Sequence, residues 1–171
     1  MAFLPPLPPS ILPVRLLARS VEWSIIAIGA VMIVLVFFNV VVHQFGRDMA
    51  WTTELCELLM VWVTFLGGAA AAHRGAHMSI TEFLDKLPER RRLLADGAIQ
   101  LVTAAMLVLL VRYGWGIVDS SWENILTVLN IPMAVQYLAL PVGAGATLIF
   151  VAHDLVQIAR GRSRAERYGE E

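Results

Sequence analysis

A few ionisable side chains interrupt an otherwise apolar sequence, and their types and spacing could do chemistry. Glu54 and Glu57 open one apolar run, and His73, Arg74 and His77 close it. Arg112 lies inside a later run, and His153 and Asp154 lie near the end of the last one. Acids and histidines at membrane depth are the material of proton relays and ion sites. Two histidines facing each other at one depth can also clamp a b-type haem. His73 and His153 form one such depth-matched pair. The single cysteine, Cys56, cannot close an internal disulfide and reads as a small packing residue in an apolar run. The sequence offers no nucleophile beside a base, no phosphate loop and no metal-ligand spacing.

The elements that position these residues follow from composition. The chain has 171 residues, 58% hydrophobic and 16% charged, against about half apolar and a quarter charged in soluble domains. The excess falls in runs, each close to the roughly 20 residues that cross a hydrocarbon core. The reading is an all-α integral membrane protein with four transmembrane helices, at about 21–42, 54–72, 97–118 and 133–158, joined by short interfacial amphipathic helices. Residues 1–20 carry prolines at 5, 6, 8, 9 and 13, which exclude a regular helix there and predict a polyproline-like lead. The first run is too long for the apolar core of a signal peptide and is read as an uncleaved helix. Residues 77–95 form an amphipathic segment, with a capping box at Ser79–Glu82 and an apolar face of Ile80, Phe83, Leu84 and Leu87. Trp122, Ile125, Leu126 and Leu129 recur at helical spacing and predict a second surface helix. Asn130-Ile131-Pro132 is a helix start, and Pro141 should bend the fourth span, with Gly143 beyond it where a neighbour can come close. Residues 159–171 are a charged tail.

Eleven basic residues flank the spans on one side: Arg15, Arg19, Arg74, Lys86, Arg90, Arg91, Arg92, Arg160, Arg162, Arg164 and Arg167. The other side has Arg47. The positive-inside rule therefore places both termini in the cytoplasm, and Trp51, Trp115, Trp122 and Tyr137 fall at the outer ends as an aromatic belt. Basic residues do not cluster on a face interleaved with aromatics, which argues against a nucleic-acid partner. The lipid bilayer is the partner that composition implies.

With depths assigned, the chemistry narrows. Glu57 and Arg112 should each lie about 9 Å below the outer edge, close enough in depth to pair within the bundle or with a partner subunit. The competing reading has Glu54 and Glu57 reaching the headgroups. The midplanes of the four spans are almost purely apolar, so this chain by itself does not read as an ion or substrate pathway. Gly67 and Gly68 begin a small-residue face suited to helix packing.

The ordered set of Trp51 and Glu54, FLGGAAAAHRGAHMSI at 65–80 with Gly67, Arg74 and His77, Leu87-Pro88, Ile131-Pro132, Tyr137 and Pro141-Val142-Gly143 resembles the small membrane subunit of tripartite ATP-independent periplasmic (TRAP) transporters. The resemblance covers about 20–160. It implies a non-catalytic subunit of the bacterial inner membrane that braces a large multi-spanning transport subunit. A periplasmic substrate-binding protein would deliver an organic acid to that subunit, with sodium as the coupling ion. It implies no cofactor and no enzyme activity. The matched positions, together with Glu57, Gly68 and Arg112, are candidates for assembly and structure. The alternative is a haem-binding four-helix membrane anchor of a respiratory oxidoreductase. The proline-rich start departs from the family pattern.

Overall fold

The computed structural model describes residues 12–47, 49–74 and 88–161. His77, the capping box and the charged tail beyond 161 lie outside them. The described chain forms α1 (Leu12–Gln44), α2 (Ala50–His73), α3 (Glu89–Ser120), a single turn α4 (Ala134–Tyr137) and α5 (Ala139–Ala159). Four stretches are long and apolar enough to span a membrane: Leu12–Gln44, Ala50–His73, Leu94–Ser120 and Ala134–Ala159. With four spans in alternating direction, the Leu12, His73, Glu89 and Ala159 ends share one membrane face, here the first face. The turn between α1 and α2 and the segment 121–133 share the second face.

Two helices exceed the spans that hydropathy predicts. α1 begins at Leu12, not near 21, because Pro13 falls in the first turn, where its missing N–H has no intrahelical partner to lose. At 33 residues α1 is about 50 Å long, against a hydrocarbon core of about 30 Å. α3 begins directly after Pro88, an extended N-cap. Residues 89–95, expected as the second half of an amphipathic surface segment, therefore belong to the same helix as the third span.

The four spans stand in a row. α3 packs chiefly on α5, α5 on α2, and α2 on α1, so that α1 and α3 occupy the two ends. Side-chain size explains the order. α5 supplies Gly143, Ala144, Ala146 and Thr147, all buried, and small residues allow close helix approach. Half of its apolar window is buried, whereas none of α1's is. A Cβ on Gly143 would meet Phe65 Cβ at 2.6 Å and its backbone at 2.9 Å, so α2 and α5 touch backbone to side chain there. A Cβ on Gly114 would meet Leu140 at 3.1 Å, the matching close approach between α3 and α5.

α1 is joined differently. Val14, Ala18, Val21, Ile25, Ile28, Met32, Leu35, Asn39 and Val42 are buried or half-buried along one side of it, alternating in steps of four and three. That is the seam of a left-handed helix pair. Only the first-face half of this seam is fully buried, in a cluster of Val14, Ala18 and Val21 with Leu66, Ala69, Ala146 and Phe150. The helical ladder of the fourth span is interrupted at Leu138, three residues before Pro141, although the backbone there stays right-handed helical with φ −56° and ψ −27°. The Pro141 ring excludes the carbonyl four residues earlier and supplies no N–H to it, so this local break in the ladder is what the proline produces.

The predicted surface helix at 119–130 does not form. Residues 121–133 make an open hairpin, with an isolated antiparallel bridge between Ile125 and Pro132. Leu126 N–H donates to Ile131 C=O at 2.9 Å, and Met133 N–H donates to Asn124 C=O at 2.7 Å. Asn130, expected as a helix cap, instead adopts φ +55°. The left-handed region suits asparagine better than most residues, and here it closes the turn.

Candidate functional site

Two polar clusters, one near each face, tie the row together. On the first face, Glu22 of α1 is 7% exposed in the midst of apolar neighbours. A carboxylate there needs a counter-charge, and Arg74 at the end of α2 supplies it. Arg74 Nη2 donates to Glu22 Oε1 at 2.5 Å and Arg74 Nε donates to the same oxygen at 3.1 Å. This ion pair joins α2 to α1. Beside it, His73 is buried and its ring packs on Phe150 of α5, centroid to centroid 4.8 Å and tilted by 59°. His153 Nε2 lies 3.2 Å from Gln157 Nε2, one turn along α5. Farther along the row, Gln100 Nε2 of α3 donates to Asp154 Oδ2 of α5 at 2.7 Å, with both residues buried. Each neighbouring pair of spans on this face thus has a polar or aromatic tie at its end.

On the second face the tie is Glu54. It occupies the fifth position of α2, and its carboxylate gathers the apex of the hairpin. Val128 N–H and Leu129 N–H donate to Oε2 at 2.9 and 2.6 Å, and Thr127 Oγ1–H donates to Oε1 at 3.2 Å. Consecutive amides in a turn form a small concave donor surface, and a carboxylate is its natural acceptor. Eight residues along α2, Trp62 Nε1–H donates to Val135 C=O at 3.2 Å, next to the break in the fourth span. Thr52 Oγ1–H donates back to Met49 C=O at 2.6 Å and closes the first turn of α2.

The remaining candidates fall as follows. Trp51 is partly exposed at the start of α2. Glu57 and Arg112 are both exposed on their helices, and the structure does not bring them together within the chain. The reason is the order of the row: α5 stands between α2 and α3, so the second-face halves of those two helices do not meet. A Cβ on Gly67 or Gly68 would meet nothing within 4 Å, so their surface is open. Pro132 is the bridge partner of Ile125. Pro141 is buried on the side of α5 that meets Gly114, and Gly143 is buried in the α2–α5 contact. Asp154 accepts from Gln100. Sequence reasoning passed over Glu22 as an interruption of the first span. The available signal was an acid in an apolar run, at the depth of Arg74 on the antiparallel neighbour.

These groups hold helix ends; their bonds run between side chains and backbone across the row. The His73 ring packs on Phe150, and His153 lies against Gln157. The fold and its ties define a multi-pass helical membrane protein whose described polar side chains link the ends of neighbouring helices. The chain belongs to the DctQ component family of tripartite ATP-independent periplasmic transporters, whose family model matches residues 32–161. It is 30% identical over 123 residues to the C4-dicarboxylate TRAP transporter small permease protein DctQ of Rhodobacter capsulatus, covering 70% of this chain and 52% of that one. It is 30% identical over 100 residues to the sialic acid TRAP transporter small permease protein SiaQ of Vibrio cholerae, covering 58% and 57%. It is 27% identical over 146 residues to the ectoine TRAP transporter small permease protein TeaB of Halomonas elongata, covering 80% and 74%. The chain thus spans about half the length of two of these relatives. It is a transporter subunit rather than an enzyme, and a multi-pass protein of the bacterial inner membrane.

Proposed function

We propose that this chain braces a large multi-spanning transport subunit in the inner membrane, in a transporter driven by an ion gradient, with sodium as the coupling ion and an organic acid as solute. A periplasmic substrate-binding protein completes the assembly. The observation that carries the bracing role is the open row. α1 is held along one seam, with large apolar side chains such as Ile33, Val34 and Phe37 exposed. The glycines at 67 and 68 offer helix-sized access on α2, the access that membrane helices use to associate.

The named solutes of the relatives support a bracing rather than a selecting role. C4-dicarboxylates, sialic acid and ectoine differ in shape, yet all carry a carboxylate, and each of the three small subunits is similar to this chain. The first face, with its excess of arginine, is the cytoplasmic one in this reading, and the hairpin face is periplasmic. The candidate residues Trp51, Glu54, Glu57, Gly67, Gly68, Arg74, His77, Arg112, Pro132, Pro141 and Gly143 then serve assembly and internal structure.

The test is co-expression with a large multi-spanning TRAP membrane subunit. Affinity capture through a tag on this chain should retain the large subunit, and vesicles holding both should take up solute only with the binding protein and an inward sodium gradient. Uptake by vesicles that lack this chain, at the same rate, would end the bracing proposal.

A further inference from the structure

The hairpin 121–133 has two properties that belong together. Its apex amides do not rely on solvent: Val128 and Leu129 donate to the Glu54 carboxylate, while Asn130 N–H donates to Leu126 C=O at 3.0 Å. In water a turn needs no acceptor brought from another helix. Where water is scarce, every backbone donor must be satisfied inside the protein. Its side chains are also sorted. Leu126 is buried under the hairpin at 7% exposure, whereas Trp122, Ile125 and Val128 are 52%, 54% and 48% exposed.

Position decides what these three side chains meet. The hairpin hangs on Glu54, about 6 Å along α2 from its first residue. The headgroup region is about 5–8 Å deep on each side of the core. Trp51, in the first turn of α2 and about 4.5 Å nearer its start, falls within the same headgroup layer and is itself partly exposed. Glu123, Asn124 and Thr127 alternate with the apolar three and are exposed as well, as expected of a segment lying between two phases.

We propose that the hairpin is a lipid-seated element: Trp122, Ile125 and Val128 enter the headgroup–acyl boundary of the second face, and the Glu54 carboxylate replaces water at the apex amides. This does not depend on which solute is carried or on how the large subunit is bound.

The test uses the full chain in phosphatidylethanolamine–phosphatidylglycerol nanodiscs, in a Cys56→Ser background. A nitroxide is placed in turn at positions 122, 125, 128 and 123. Collision with oxygen, which partitions into lipid, is compared with collision with a water-soluble nickel chelate. Labels at 122, 125 and 128 should favour oxygen several-fold, and the label at 123 should favour the chelate. Chelate access at all four positions would place the hairpin in water and overturn the proposal. Low access to both probes at 122, 125 and 128 would mean that protein covers them, and would overturn it too. Glu54→Gln keeps the side-chain size but removes the charge. It should move the label at 128 several-fold toward the chelate while leaving helical content unchanged. If that variant fails to insert, the label series in the Glu54 protein still decides the matter.

Discussion

Glu22 and Arg74 illustrate how much a single pair can matter in an apolar layer. Glu22 is almost fully buried and Arg74 about one-third exposed. Arg74→Ala strands the carboxylate, and loss of one partner of a buried pair costs about 3–5 kcal/mol, with partial exposure favouring the lower end. We expect Arg74→Ala to lose about 3 kcal/mol in a reversible unfolding assay in mixed micelles. Glu22→Gln combined with Arg74→Gln should recover most of that, because no uncompensated charge remains. Equal loss in the single and double variants would show that packing, not charge, is at stake. The glycines separate just as clearly. Gly143→Ala sets a methyl against the Phe65 backbone, and overpacking of this kind costs about 1–3 kcal/mol. Gly67→Ala meets open space and should leave the stability of the isolated chain unchanged or slightly raised, since alanine is the better helix former. The same unfolding assay reads both.

Elements were legible in the sequence where one physical signal dominated and illegible where a distant residue decided. Four apolar runs of membrane length marked the four spans, and Pro141 marked the break in the last one. The hairpin was misread because Trp122, Ile125, Leu126 and Leu129 do recur at helical spacing. What overrides that pattern is Glu54, far earlier in the chain, which gathers the amides of a turn. No local rule contains that bond. Glu57 and Arg112 do not pair within the chain for a similar reason: depth was judged from each helix alone, but the order of helices in the row is a tertiary fact. The break before Pro141 has its own support in Trp62, whose indole N–H donates to Val135 C=O. Trp62→Phe keeps an aromatic ring and removes the donor, and a lost hydrogen bond of this type costs about 1 kcal/mol. The unfolding midpoint should fall accordingly. The helical content should stay the same, as read by far-ultraviolet circular dichroism.

The whole molecule is a row rather than a closed bundle, and that shape separates internal stability from assembly. In a closed bundle, a bulky substitution on a small-residue face would damage both together. Here the buried small residues of α5 serve the chain itself, while Gly67 and Gly68 of α2 lie open. Gly67→Leu or Gly68→Leu should therefore cost the isolated chain less stability than Gly143→Ala, because the first atom of the new side chain meets open space at both positions. Captured from cells that also make the large subunit, the same variants should retain much less of it, because a leucine holds an approaching helix away. Gly143→Ala should show the opposite profile, with lowered stability and capture reduced only in proportion to the amount of folded chain. If both leucine variants capture the large subunit as well as the parent does, the brace must use another surface, and the exposed side of α1 becomes the next to test. If they unfold as readily as Gly143→Ala, the row must close on itself in the membrane, and the separation of the two roles is lost.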